Sequence, residues 1–309
     1  MSVGSSPVTV RVFQLTTVCT LLAVALGSVV CATESGFECG NWPGCTADSL
    51  LPSGPLSSAL FRNPWIEMLH RTSAILAGPL AVASGILAAR LRGAPLAARV
   101  LPWVSVAGAL VAGIFGRMIV LGQPLPVWGG AADLTSALTA MAAMVVATVA
   151  LRLSGARPVP AVAGPAWVSV GTVLALHVTS LFAAGPGSYT RCLSWPVWGL
   201  IAADHAANPI VSWVRLGLAV VAAGLIVGTL ARARQHTALR RPALAVAVLL
   251  GLVLVLAAVI RLSGTTDLGV PYSLATVGLL FSLVLLAARA SLAGSSAPRP
   301  APRPEPVRA

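Results

Sequence analysis

Apolar residues run along this chain in eight long stretches, at approximately 12–32, 65–89, 100–121, 131–151, 165–184, 209–230, 242–262 and 272–288. A helix needs about 20 apolar residues to cross the hydrocarbon core of a bilayer, so the pattern predicts eight transmembrane helices. The first stretch exceeds the apolar region of a typical secretory signal and reads as a retained span. The predicted fold class is an all-α integral membrane protein.

Composition agrees: 57% of the 309 residues are hydrophobic and only 9% charged, with a mean hydropathy of +0.90. Soluble domains carry roughly a quarter charged residues. The formal charge of +12 raises the question of nucleic acid, but the placement of the charges answers it. Every one of the 20 basic residues is Arg. Arg11, Arg90, Arg92, Arg99, Arg152, Arg157, Arg232, Arg234, Arg240, Arg241, Arg289, Arg299, Arg303 and Arg308 all fall on one side of the predicted spans. The positive-inside rule makes that side cytoplasmic and puts both termini there, in a multi-pass protein of the cell membrane. Glu34, Glu38, Asp48, Asp204 and Asp267 fall in the opposite loops. The charge therefore reports topology, and no nucleic-acid partner is expected. The Pro- and Arg-rich tail 291–309 has no apolar periodicity and is expected to be disordered.

The second outer loop repeats features of the first. Cys39-Gly-Asn-Trp42-Pro43 returns as Cys192-Leu-Ser-Trp195-Pro196, and Asn63-Pro64 as Asn208-Pro209. Arg71 and Arg215 are 144 residues apart, as are Arg117 and Arg261. Four echoes in one order predict two tandem four-helix bundles, related by a pseudo-two-fold axis along the membrane normal. The halves would cover 1–151 and 165–288, with a linker around 152–164 and a tail from 289 to 309. A simpler reading takes the Trp-Pro echoes as interfacial anchors, which leaves the arginine spacings unexplained.

Candidate chemistry is densest between 31 and 71. Cys39 and Cys45, six residues apart in a predicted outer loop, are expected to form a disulfide, since that compartment is oxidising. No His or second Cys pair lies nearby to complete a tetrahedral metal site. Cys19 and Cys31 fall in span 1 and are expected to be buried free thiols. Cys192 has no outer-loop partner in its own half. Glu67 and His70 stand three residues apart at the start of span 2 and share one helix face. Ionisable groups in a span face the bundle interior and mark functional sites. His70 suits axial ligation of haem iron, Glu67 proton handling, and Arg71 a haem propionate. A structural Glu67–Arg71 pair beside a satisfied His70 is the alternative. Asp133 is expected to pair with Arg117 across the outer mouth, or to join a polar site. His236 and His205 read as solvated loop residues, and His177, mid-span, either ligates something or bonds a neighbouring helix.

The stretch from Val30 to Cys45, with Cys39, Trp42-Pro43 and Cys45, together with Glu67-Met-Leu-His70-Arg71, resembles the heme A synthase family. The resemblance is specific over 28–76 and elsewhere mainly architectural. It implies oxidation of a methyl group of heme O to the formyl of heme A, through successive hydroxylations, for cytochrome oxidase biogenesis. It makes His70 the haem-iron ligand, Glu67 the catalytic carboxylate and Cys39–Cys45 the loop disulfide; Arg71 and Arg117, cations at the outer mouth, are expected to bind the haem. The family places a ligand His on the second and fourth helix of each half. Here Ala132 or Asp133 stands at the span 4 position, Val214 at that of span 6, and Val277 near that of span 8. Trp198 occupies the place of the second Cys in the second loop. The second-half heme b of the family is therefore expected to be lost. The expected reading is a divergent heme A synthase-like haem oxidase. A non-catalytic haem-binding or oxidase-assembly protein is the alternative, and a transporter membrane subunit ranks third. A heme O synthase or oxidase-assembly partner, and a homo-oligomer, fit the same reading.

Overall fold

The computed structural model of the protein describes residues 6–55, 59–123, 125–153, 158–184, 192–196, 206–264 and 267–292. Among the described residues there are eight helices long and apolar enough to cross a membrane, and no strand. They are α1 (Pro7–Ala32), α2 (Pro64–Arg90), α3 (Leu96–Val120), α4 (Val127–Arg152), α5 (Pro160–Ala183), α6 (Pro209–Ala233), α7 (Arg240–Ser263) and α8 (Gly269–Leu292).

Short-range chemistry sets where these helices begin and end. Asn63 caps α2 by accepting the Trp65 N–H at 2.9 Å, with Pro64 in the first turn and Glu67 facing the positive end of the helix dipole. Asn208 and Pro209 open α6 in the same way, so both members of the Asn-Pro echo are helix starts. Gly264, at φ 66°, ends α7 in the left-handed conformation that costs glycine nothing. Five boundaries differ from expectation by four or five residues, the starts of α1 at Pro7 and α3 at Leu96 among them. Span 4 starts at Val127, directly after Pro126, and α5 starts at Pro160, inside the predicted linker. The last helix runs to Leu292, so Arg289 and the first tail residues are helical. Residues 293–309, the rest of the predicted tail, lie outside the described residues.

Within residues 7–152, α1 packs on α2 and α4, and α3 packs on α2 and α4, which closes a four-helix ring with α2 and α4 diagonal. Residues 160–292 repeat the ring: α5 packs on α6 and α8, and α7 on α8 and, more thinly, α6. Between the two rings, α4 meets α8, α1 meets α8 and α5 meets α4. Exchanging α1 with α5 and α4 with α8 maps this set of contacts onto itself, which is consistent with the repeat in the sequence.

The two rings are filled differently. The second has a continuous apolar core including Leu176, Val277, Leu279, Leu280 and Leu283, all at most 1% exposed. The first has one small cluster around Phe13, Ala88, Ala98 and Met144, and another of only Cys39, Cys45 and Met68 at the opposite end. Along α3 no residue from 106 to 118 is buried. A packed bundle buries a stripe on every turn of every helix. Over that stretch α3 packs on α4 without fully burying a side chain, and a Cβ at Gly108 would meet the Ser136 carbonyl oxygen at 2.7 Å. A Cβ added at half-buried Gly78 or Gly116 would meet nothing within 4 Å.

Candidate functional site: a histidine beneath a disulfide-bonded strap

The segment joining α1 to α2 forms a strap over the mouth of the first ring, on the face away from the arginine-rich loops. It is tied down at its base. The Arg62 N–H donates to the Thr33 carbonyl at 2.8 Å, and the Asn63 N–H to the Ser35 hydroxyl at 3.0 Å. Glu34 and Arg62 pair at 3.2 Å, both exposed, which adds at most about 1 kcal/mol. Cys39 and Cys45 are joined by a disulfide, as expected, and both are buried.

Glu67 and Arg71 hold the strap from below. They form a buried ion pair one turn apart, with side-chain exposures of 3% and 6%. The other Glu67 oxygen accepts the Cys39 N–H at 2.8 Å. The Arg71 guanidinium also donates to the carbonyls of Gly44 and Cys39, each at 2.8 Å, and of Asn41. Both groups are thus engaged with the strap and with each other, so the structural pairing weighed at the sequence level is present. A charged pair inside a protein is tolerated only when its remaining donors and acceptors are satisfied, and here the strap backbone satisfies them. The second ring has the same device in reduced form: Arg215, 1% exposed, donates to the Ser194 carbonyl at 3.4 Å. Asn41 and Ser194 each stand two residues after their Cys, so the Cys-x-x-Trp-Pro echo is a structural correspondence.

His70 points elsewhere. Its Nδ1 lies 2.9 Å from the Ala23 carbonyl on α1. A carbonyl only accepts, so Nδ1 carries the proton and a neutral ring keeps its lone pair on Nε2. The ring is seated against Gly27, where an added Cβ would come within 3.0 Å of Cε1. Gly27 is a positioning residue that sequence reasoning missed. Nothing in an apolar run distinguishes a glycine that admits a ring from any other. Among the described residues Nε2 has no hydrogen-bond partner, and an imidazole oriented by a carbonyl on its other nitrogen is the usual arrangement of a metal-ligating histidine. Asp133 stands across the ring on α4, six residues into its helix just as His70 is six into α2, or about 9 Å of helix rise each.

Two expected contacts differ. Asp133 does not pair with Arg117: the ion pairs among the described residues are Arg62–Glu34 and Arg71–Glu67. Arg117 instead lies over the Trp42 ring, 5.5 Å from its centroid, and presses on the strap from α3. Such an exposed contact contributes about 0.5–1 kcal/mol. The cysteine assignment also changes. Cys31 is not a free thiol and Cys192 is not unpartnered: they form a disulfide across 161 residues, Cα–Cα 5.3 Å. Cys19, buried as expected, is the free cysteine among the described residues.

His177 is fully buried in the second ring and neither ring nitrogen has a hydrogen-bond partner among the described residues. An unpaired buried polar group costs about 1–3 kcal/mol. His177→Leu, which keeps the volume and removes both nitrogens, is expected to leave thermal stability unchanged or raise it; a lower melting temperature would show that the ring bonds something. The counterpart of His70 is Val214, 50% exposed, and Val277 is buried in the core at 1%. His205 and Trp198 lie outside the described residues.

Fold and site define a membrane protein with eight membrane-length helices among its described residues and an oriented histidine under a disulfide-bonded strap. Comparison with protein families and with curated proteins finds no match to the chain.

Proposed function

We propose that the chain is a heme A synthase-like membrane oxidase that takes heme O into its first ring and oxidises a methyl group to a formyl. The observation that carries this reading is His70: Nδ1 is committed to the Ala23 carbonyl and Nε2 has no hydrogen-bond partner among the described residues, in a ring whose apolar core is confined to two small end clusters. His70 Nε2 would hold the haem iron, with Asp133 on the opposite wall. Bound haem supplies the iron and the methyl to be oxidised. The chain's own part is to orient the imidazole and, through the strap, to cover the mouth. The packed second ring, with Val214 in the histidine position, supports one haem per chain rather than two. Two disulfides on the strap face favour placing that face in an oxidising compartment, with the arginine loops cytoplasmic. Reporter fusions at 90–99 and 232–241 should read cytoplasmic and fusions near 45 outside; the reverse would remove the proposed orientation.

The test is haem extraction from membranes of cells that make heme O, with and without the chain. Hydroxylated or formylated haem should appear only with the chain, and unmodified heme O alone in both would contradict catalysis. One observation favours the second reading, a haem-binding or oxidase-assembly protein without turnover. Glu67 is fully occupied by Arg71 and Cys39, so it is a brace for the strap before it is anything else. Glu67→Gln does not separate the two readings cleanly. Its amide NH2 would face either the Arg71 guanidinium or the Cys39 N–H, donor against donor. Product analysis of the wild-type chain decides between them.

A further inference from the structure

We propose that the Cys31–Cys192 bond is a reducible staple through which the second ring braces the strap, and that a dithiol reductant opens it before Cys39–Cys45. The bond joins the last turn of α1 to segment 192–196. That segment is seated in the second ring. The Trp195 N–H donates to the Tyr272 hydroxyl on α8 at 3.0 Å, and Arg215 on α6 donates to the Ser194 carbonyl. On its other side, Cys31 leads within two residues into the base of the strap. There Thr33 accepts the Arg62 N–H, and the Thr33 and Ser35 hydroxyls bond at 2.7 Å. Ser35 carries Asn63, the cap of α2, and Cys39 carries Glu67. A continuous series of bonds thus runs from α6 and α8, through one disulfide, to the residues that hold the strap over His70. It gives the second ring a task that needs no haem of its own.

The two disulfides differ in access. Cys39 is fully buried and Cys45 is 5% exposed, whereas Cys31 and Cys192 are both partly exposed. Exchange requires a thiolate to reach a sulfur atom, so the staple is the bond open to attack. Its reduction takes two electrons and two protons from the dithiol, which closes to its own disulfide, and leaves Cys31 and Cys192 as thiols. The strap keeps Cys39–Cys45, its bonds to Glu67 and Arg71 and its base contacts, but loses its tie to the second ring. Closing a chain of 161 residues constrains the unfolded state more than closing one of six, so the staple also stabilises the joined rings.

The test is a graded dithiothreitol titration of the intact protein in its membrane, with alkylation and peptide mass analysis at each step. Cys31 and Cys192 should become labelled together at about tenfold lower reductant than Cys39 and Cys45, as their access dictates. Hydrogen exchange in peptides covering 33–45 should accelerate at that same step, while the middle of α2 stays protected. Cys192→Ala and Cys31→Ala should each show the fast exchange without reductant, and the double variant no more than either. Should those variants fail to accumulate, the wild-type titration still decides. Labelling of Cys39 and Cys45 first or simultaneously would overturn the proposal, as would unchanged strap exchange once Cys31–Cys192 has opened.

Discussion

His70→Ala is expected to abolish the haem absorption of the purified protein while leaving the helices and both disulfides in place. The side chain makes one bond to the rest of the chain, from Nδ1 to the Ala23 carbonyl, and sits against Gly27 rather than in a packed cluster. Its removal leaves the carbonyl to one lost hydrogen bond, a cost of about 1–3 kcal/mol that an eight-helix bundle survives. Haem, by contrast, loses its oriented nitrogen donor, and Asp133 alone offers a carboxylate poorly suited to hold a low-spin iron. Absorption spectra of matched wild-type and variant preparations check this. An unchanged haem band in His70→Ala would show that the ligand is elsewhere. Gly27→Ala should give a milder form of the same loss, since the added methyl displaces the imidazole without deleting it.

Arg71→Ala should have the largest effect on stability of any single change that loosens the strap. It leaves the Glu67 carboxylate buried without its counter-charge and strips donors from the carbonyls of Cys39, Asn41 and Gly44. Breaking a buried pair in this way costs about 3–5 kcal/mol. Thermal unfolding in detergent should show it, and exchange over 33–63 should rise sharply. Glu67→Ala strands the opposite charge, so the double variant Glu67→Ala/Arg71→Ala should cost much less than the two single effects added. Additive losses would mean that the pair is not the unit holding the strap. By comparison, Arg117→Ala removes only the stacking on Trp42 and should fall within about 1 kcal/mol.

The eight helices were legible because lipid imposes an apolar length that nothing else in the sequence imitates. The Asn-Pro starts of α2 and α6 were legible too, since a cap acts over two or three residues. Cys39 with Cys45 belongs to the same class, being a local pair in a short loop. Cys31 with Cys192 does not. Cys31 ends an apolar run and so reads as a buried thiol, and its partner is chosen by how the two rings dock. Charge sign suggested Asp133 for Arg117, but the fold of the strap brings the Trp42 ring to the guanidinium instead. The proximity of Arg71 to Glu67 was foreseen from their spacing. The binding of three loop carbonyls by Arg71 depends on the strap closing over it, a tertiary event with no periodic signature. The unpaired ring of His177 and the small, divided core of the first ring are likewise properties of packing. They became visible only when the neighbours of each helix were known.

The most direct measurement is the haem content of the purified wild-type protein, taken as an absorption spectrum together with extracted haem per chain. One haem per chain, lost in His70→Ala and retained in His177→Leu, is the expected result. No haem at all, or two low-spin haems of which one survives without His70, would contradict the account.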